Sequence, residues 1–217
     1  MNQSITIAVC KGRILTEVLP LLASAGVVPQ EDPNSSRKLV FDTEAESVRI
    51  MIVRGADAAT YVRFGAADLG IMGKDQLMEE GGDGMYELAD LHIARCRLVV
   101  AEPQRLADHD DPANWQRLRI ATKYPNITRR YLAAKGIQTE AIKLYGSMEL
   151  APLAGLADRI VDLVDTGNTL KANGLVEMEQ VAQITSRLVA NPAAMKLKQP
   201  HIGELADAIA EAANAKS

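Results

Sequence analysis

This 217-residue chain is poor in sulfur chemistry, histidine and aromatic rings. Its two cysteines, Cys10 and Cys96, lie far apart in apolar surroundings. They are too few for a disulfide framework and read as reduced, buried thiols of a cytosolic protein. The three histidines, His92, His109 and His201, are scattered and make no metal-ligand spacing with the cysteines, so no zinc site is expected. No uninterrupted apolar run is long enough to span a membrane. The N-terminal stretch "MNQSITIAVCKGRIL" lacks the basic segment and long apolar core of a secretory leader. A formal net charge of -4 argues against a nucleic-acid binder, since such domains are usually basic overall. Also missing are a Ser/His/Asp arrangement with supporting context, a close carboxylate pair for glycoside chemistry, and the Gly-Lys-Ser/Thr of a Walker loop.

What is present is a regular alternation. With 47% hydrophobic residues the chain can bury a core in one large domain or two small ones. "SITIAVC", "LVFDT", "SVRIMIVR", "AADLGIMG", "RLRIATK", "TEAIKLYG", "RIVDLVD" and "QVAQITSRLVA" read as strands. "ILTEVLPLLASAG", "GADAATYVRFG", "NITRRYLAAKG", "MELAPLAGLA" and a closing "HIGELADAIAEAANA" read as helices. Pro20, inside the first helical pattern, predicts a kink or an early stop. Strands alternating with helices argue for an α/β protein with largely parallel sheets. The polar stretch after "VVAEP" is the place for a second lobe to begin, with the last strand and helix returning to the first. No sequence repeat or low-complexity tract is found.

The chemistry-bearing residues gather where strands give way to helices. "RIVDLVDTGNTLKANGL" stops at Asp165-Thr166-Gly167-Asn168-Thr169 before a helix begins. A helix start offers backbone N–H donors and a positive dipole end, which suit an anion. Gly167 lets the backbone approach a phosphate closely, and Thr166, Asn168 and Thr169 add short donors. Asp165 repels a phosphate, but it suits sugar hydroxyls or a phosphate-bound magnesium ion. The same residues read equally as a plain helix start capped by Asn168 or Thr169. "CKGRIL" repeats the pattern with Lys11 and Arg13 around Gly12. Arg37 and Lys38 leave a polar loop, and Arg54 ends a strand; each of these, read alone, is a surface cation. "ADLGIMGKD" carries Asp68, Leu69 and Gly73 in a strand and tight turn. "YGSMELAP" offers Ser147 as a cap and Glu149 as a sugar-hydroxyl acceptor. Lys123, in "ATKYPNITRRYL", is placed to face a ligand. Basic groups at strand ends in an acidic chain fit a small, highly charged molecule.

The ordered set "KGRIL", "EDPNSSRKL", "ADLGIMGKD", "RIATKYPNITRRYL", "KLYGSMELAPL" and "DLVDTGNTLKANGL" resembles the catalytic subunit of the ATP phosphoribosyltransferases, in their short form. That resemblance covers nearly the whole chain. It implies an α/β, two-lobed fold like the type II periplasmic binding proteins, with mixed sheets and the active site in the interlobe cleft. The lobes would be 1–92 with 182–217, and 93–181. It implies transfer of the 5-phosphoribosyl group of phosphoribosyl pyrophosphate (PRPP) to N1 of ATP, the first step of histidine biosynthesis. Glu149 and Asp165, Thr166, Gly167, Asn168 and Thr169 would bind PRPP. Arg13 and Arg37 would be catalytic, facing the pyrophosphate, and Lys11, Arg54, Asp68, Leu69 and Gly73 would place ATP. Magnesium would travel with the substrates, with Asp165 as the protein group nearest to it and no metal site fixed by the protein. The resemblance further implies a cytoplasmic homodimer within a hetero-octamer, whose regulatory subunit resembles a histidyl-tRNA synthetase, with no nucleic-acid or membrane partner.

Overall fold

The computed structural model describes residues 4–107 and 117–216; the side chain of Arg117 lies outside that description. The polar stretch expected to open the second lobe falls mostly at 108–116, outside the described residues, as does His109, and the second unit begins ahead of it, at Cys96. The chain divides into two compact units, 1–95 with 185–217, and 96–184. The limits read from sequence fall three residues before each of these crossings, because the strand that closes the second unit runs on to Ile184, which pairs with Cys96.

The first unit starts with β1 (Ile5–Cys10), α1 (Arg13–Ser24), β2 (Val40–Asp42), β3 (Val48–Val53), α2 (Gly55–Arg63), β4 (Leu69–Gly73), α3 (Lys74–Glu80) and β5 (Tyr86–Asp90). The second comprises β6 (Cys96–Pro103), α4 (Gln104–Ala107), β7 (Arg117–Thr122), α5 (Pro125–Ala133), β8 (Gln138–Lys143), α6 (Leu150–Leu153), β9 (Arg159–Val164), α7 (Asn168–Ala172) and β10 (Leu175–Ile184). The chain then returns to the first unit as β11 (Ser186–Ala190), α8 (Pro192–Leu197) and α9 (His201–Asn214).

The six-stranded first sheet has the order β2-β3-β1-β4-β11-β5, and the five-stranded second has β10-β6-β9-β7-β8. Both are mixed rather than largely parallel. In each, three parallel strands (β3-β1-β4 and β8-β7-β9) meet an antiparallel neighbour, β11 on β4 and β6 on β9. The two units therefore repeat one topology although the sequence shows no repeat. Each first parallel strand sits in the middle, with the later two on opposite sides of it. The outer edge beyond that strand's C-terminus is a topological switch point, where α/β sheets take ligands.

Burial explains the patterns. β1 is covered on both faces, so "ITIAVC" reads as a continuous apolar run. Ile5, Ile7 and Val9 pack with Leu15, Val18, Leu22, Ile202 and Ile209 from α1 and α9, while Ala8 and Cys10 face Ala58, Ala59 and Val62 of α2. Pro20 does not stop α1, which continues to Ser24. The run "QVAQITSRLVA" is two strands in two different sheets, broken at Thr185. "VEME", unassigned from sequence, belongs to the first part of β10, whose register shifts between Glu177 and Glu179 and again between Gln180 and Ala182. Neither cysteine is in a disulfide. Among the described residues no helix is long and apolar enough to cross a membrane.

Candidate functional site

In the second unit, Ile160 and Val161 are fully buried and anchor β9 against β6 and β7. The strand ends at Val164, and Asp165, Thr166 and Gly167 form the turn into α7. Gly167 holds φ 79° and ψ 2° at the N-cap, left-handed backbone that costs a residue with a Cβ roughly 1–2 kcal/mol. An added Cβ would lie no closer than 3.6 Å to the Glu177 Oε1 and 3.9 Å to the Val164 Cγ1, so glycine is required by conformation and not by space. Neither Asn168 nor Thr169 is the cap; they are the first residues of the helix, and no side chain caps it. Asn168 N–H points to Thr166 Oγ1 at 3.4 Å.

Asp165, Thr166, Gly167, Asn168 and Thr169 line a cavity of about 230 Å³, and Glu149 forms part of the same wall. Glu149 reaches it from the turn between β8 and α6, where Ser147 adopts φ 52°. Ser147 is no cap either; Glu149 occupies that position, again without a side-chain cap bond. The structure thus assembles in one pocket all six residues read as PRPP ligands. Asp162, half-buried on β9, also lines it; it was visible in sequence only as the other aspartate of the strand. Thr122 braces the neighbouring strands β7 and β9: its Oγ1 donates to Val161 O at 2.7 Å and accepts Tyr124 N–H at 2.9 Å. Neither Thr122 nor Asp162 was singled out from sequence, since a threonine inside a strand carries no local signal. Lys123 follows β7 at this same edge, with Nζ 5.8 Å from the Tyr124 ring centroid.

The first unit has an equivalent edge of its own, at the C-terminal ends of β1, β3 and β4. Lys11 follows β1 and donates its N–H to Val53 O at 2.9 Å, which fixes it beside Arg54 at the end of β3. Gly12, at φ 94° and ψ -141°, makes the turn that starts α1 on Arg13. Arg37 precedes β2, whose Val40 pairs with Met51, so it approaches β3 from the same end. Gly73 closes β4, and a Cβ there would lie 2.1 Å from Asp75 Oδ1. Lys11, Arg13, Arg37 and Arg54 are exposed. Among the described residues Lys11, Arg37 and Arg54 pair with no carboxylate, whereas Arg13 Nε bonds Glu17 Oε1 at 2.6 Å. Helices α1, α2 and α3 all begin on this edge with no side-chain cap. Asn191, away from it, caps α8 by accepting Ala194 N–H at 2.9 Å. Uncapped N–H groups beside cations without a carboxylate partner make the kind of surface that attracts anions.

Asp68 and Leu69 are not brought to that edge. They stand at the start of β4, roughly 16 Å of extended chain from Gly73. The Asp68 carboxylate is already engaged: Oδ2 accepts Thr6 N–H at 2.8 Å and Oδ1 pairs with Lys198 Nζ at 2.7 Å. It ties β1, β4 and the segment after α8 together. Among the described residues no group of three or more His, Cys, Asp or Glu side chains converges in a way that could hold a metal ion.

Comparison with known proteins gives a consistent result. Residues 54–211 match the protein family described as ATP phosphoribosyltransferase. An ATP phosphoribosyltransferase of Acidithiobacillus ferrooxidans is 58% identical over 205 residues, covering 94% of this chain and 95% of its own. The solved structure of an ATP phosphoribosyl transferase (HisG:HisZ) complex from Thermotoga maritima aligns with a TM-score of 0.81 at 32% identity, over 97% of this chain and 99% of that one. At the level of fold alone, the periplasmic aliphatic sulphonate binding protein SsuA of Escherichia coli aligns with a TM-score of 0.61 at 14% identity, over 99% of this chain and 70% of that one.

Proposed function

The chain belongs to the ATP phosphoribosyltransferase family, which performs the first step of histidine biosynthesis, and from that premise we propose how its residues divide the reaction. The Asp165–Thr169 turn holds the 5-phosphate and ribose of PRPP, with Glu149 accepting from a ribose hydroxyl. The observation that carries this reading is the single cavity walled by Glu149 and the whole turn, at the switch point of the second sheet, with uncapped N–H groups and a left-handed Gly167.

N1 of the adenine is a weak nucleophile, so the bond from C1 of the ribose to pyrophosphate breaks ahead of bond formation. Positive charge grows on the sugar and negative charge on the leaving group. Arg13 and Arg37 stabilise that departing charge, and Lys11, Arg54 and the Gly73 turn place the ATP phosphates. The partnered position of Asp68 favours a structural task over contact with ATP. Magnesium enters on the phosphate groups of the substrates, and among the residues of the turn Asp165 supplies the hard oxygen donor such an ion prefers.

The chain works in the cytoplasm, in keeping with its two unbridged thiols. It assembles as homodimers with a separate regulatory subunit resembling a histidyl-tRNA synthetase, in a hetero-octamer; the Thermotoga maritima relative, solved as a HisG:HisZ complex, supports a two-component assembly. The test mixes purified chain with ATP, PRPP and magnesium, with and without the second subunit, and follows phosphoribosyl-ATP by mass spectrometry. Replacing Arg13 or Arg37 by alanine is expected to lower kcat by about 10²–10³, the loss of one well-placed donor to developing charge. Full turnover in either variant removes that arginine from its role.

A further inference from the structure

Arg13 sits in an electrostatically awkward place. It is the first residue of α1, at the positive end of a twelve-residue helix whose first turn holds no acid and whose cap has no side chain. Its partner is Glu17, one turn further on, with Nε 2.6 Å from Oε1. Arginine preceding glutamate is the less favourable order for such a pair, and both side chains are more than a third exposed, at 46% and 36%. Helix stability therefore gives no reason for the arrangement.

The other oxygen of Glu17 supplies one. Oε2 accepts the backbone N–H of Ala94 at 2.7 Å, across 77 residues of sequence. Ala94 belongs to the segment that leaves β5 and leads into β6. This segment is strained: His92 and Ala94 hold φ 55° and 51°, two of the three non-glycine residues with positive φ among those described. Several bonds hold it in that form. Asp90 Oδ1 accepts His92 N–H at 2.9 Å, and Ser186 N–H donates to Ile93 O at 3.0 Å. Glu17 and His92 also share the wall of a small cavity of about 200 Å³. Burial raises the Glu17 carboxyl, but the Ala94 N–H and Arg13 outweigh it and hold the group below the usual carboxylate range. It is an anion in place to orient a cation.

We infer that Glu17 is a positioning residue for the phosphoribosyl transfer: it ties the Arg13 guanidinium to the hydrogen-bonded 92–95 segment, so that the cation is preorganised for the leaving pyrophosphate. This rests on the role proposed for Arg13. Strain at such a segment persists only where its surroundings hold it, and it clusters at working sites. A long, exposed arginine without a fixed partner would have to be ordered anew in every turnover.

The experiment is a double-mutant cycle on the full chain, with its regulatory subunit where turnover requires it, using Arg13→Ala, Glu17→Gln and the pair. Glutamine keeps an acceptor for Ala94 N–H but removes the charge that holds Arg13. Glu17→Gln is expected to lower kcat about ten- to a hundredfold, with the KM for PRPP nearly unchanged and the thermal midpoint close to that of the parent. The double variant is expected to be no slower than Arg13→Ala, because the glutamate acts only through the arginine. Parent-like kcat in Glu17→Gln, or independent losses that multiply in the double variant, overturns the inference while leaving Arg13 in its role. Full turnover in Arg13→Ala overturns both. Glu17→Ala, which also releases Ala94, is expected to match Glu17→Gln in kcat but to melt lower; a kcat loss confined to the alanine variant would assign Glu17 to the fold alone and refute the inference.

Discussion

Gly167→Ala separates backbone conformation from side-chain chemistry at the proposed sugar-phosphate turn. With φ at 79° and the nearest atoms 3.6 and 3.9 Å from an added Cβ, the methyl fits but the backbone resists it. The strain is about 1–2 kcal/mol, offset by about 0.4–1 kcal/mol from the stiffer unfolded chain. A net loss near 1 kcal/mol lowers the thermal midpoint by about 2–4 °C at this chain length. If the turn relaxes, a backbone N–H swings off the phosphate; a hydrogen bond to a charged group is worth about 1.5–3 kcal/mol, so the KM for PRPP should rise about ten- to a hundredfold. Gly174→Ala is the matched control. Its φ is 67°, nothing lies within 4 Å of its Cβ, and it is not among the residues that line the cavity. Calorimetry should show similar melting losses for the two variants, whereas steady-state kinetics should show a PRPP defect only for Gly167→Ala. An unchanged KM in Gly167→Ala alongside the melting loss, or equal KM defects in both, would refute the reasoning.

Gly70→Ala should destabilise by about 1–3 kcal/mol through overpacking, since its Cβ would lie 2.5 Å from Val62 Cγ2 and 2.8 Å from Met72 Cε; urea titration should show a lower midpoint with an unchanged slope. Asn191→Ala removes the α8 cap and the Nδ2 bond to Val62 O at 2.8 Å, an expected loss of about 2 kcal/mol by the same titration with no change in either KM. Burial raises the Glu179 carboxyl, but Lys135 and the Tyr131 hydroxyl, which donates at 2.6 Å, outweigh it and lower its pKa. A depressed carboxylate contributes stability that is complete above its unfolded pKa of about 4.3 and fades as pH falls through the folded value. Glu179→Gln should therefore flatten the acid limb of the melting profile below about pH 5 and nowhere else; an unaltered acid limb would contradict the assignment.

How far the sequence could be read depended on whether a signal was local. The turn at Asp165–Thr169 was legible because strand end, glycine and short polar residues fall within five positions, and a backbone conformation needs no distant partner. The surroundings of Asp68 were not legible, for the opposite reason. It adjoins a motif whose glycine end lies at the opposite end of β4, and its bonds to Lys198 and the Thr6 N–H involve residues distant in sequence. β10 was half seen because two register shifts spoil its alternation, and β11 was fused to it because Thr185 interrupts the apolar pattern without a glycine or proline. The cap of α7 was named one or two positions late: Asn168 and Thr169 have good intrinsic cap propensity, but Gly167 took the position that the left-handed turn demands. Glu17 gave no signal, since its meaning lies in a backbone N–H 77 positions away.

The place of β11 sets an order on the chain's biogenesis. β5 joins the first sheet only through β11, which lies between it and β4. A nascent chain that has emerged as far as residue 184 therefore carries a complete second sheet beside a first one with its penultimate strand missing. Until Ser186–Ala190 leaves the ribosome, β4 exposes a bare hydrogen-bonding margin and the Tyr86–Asp90 segment has no lattice to join. A stop codon shortly before that strand should yield a soluble second unit attached to a sticky, protease-sensitive fragment. For this polypeptide, translation has to pass Ala190 before the first sheet closes.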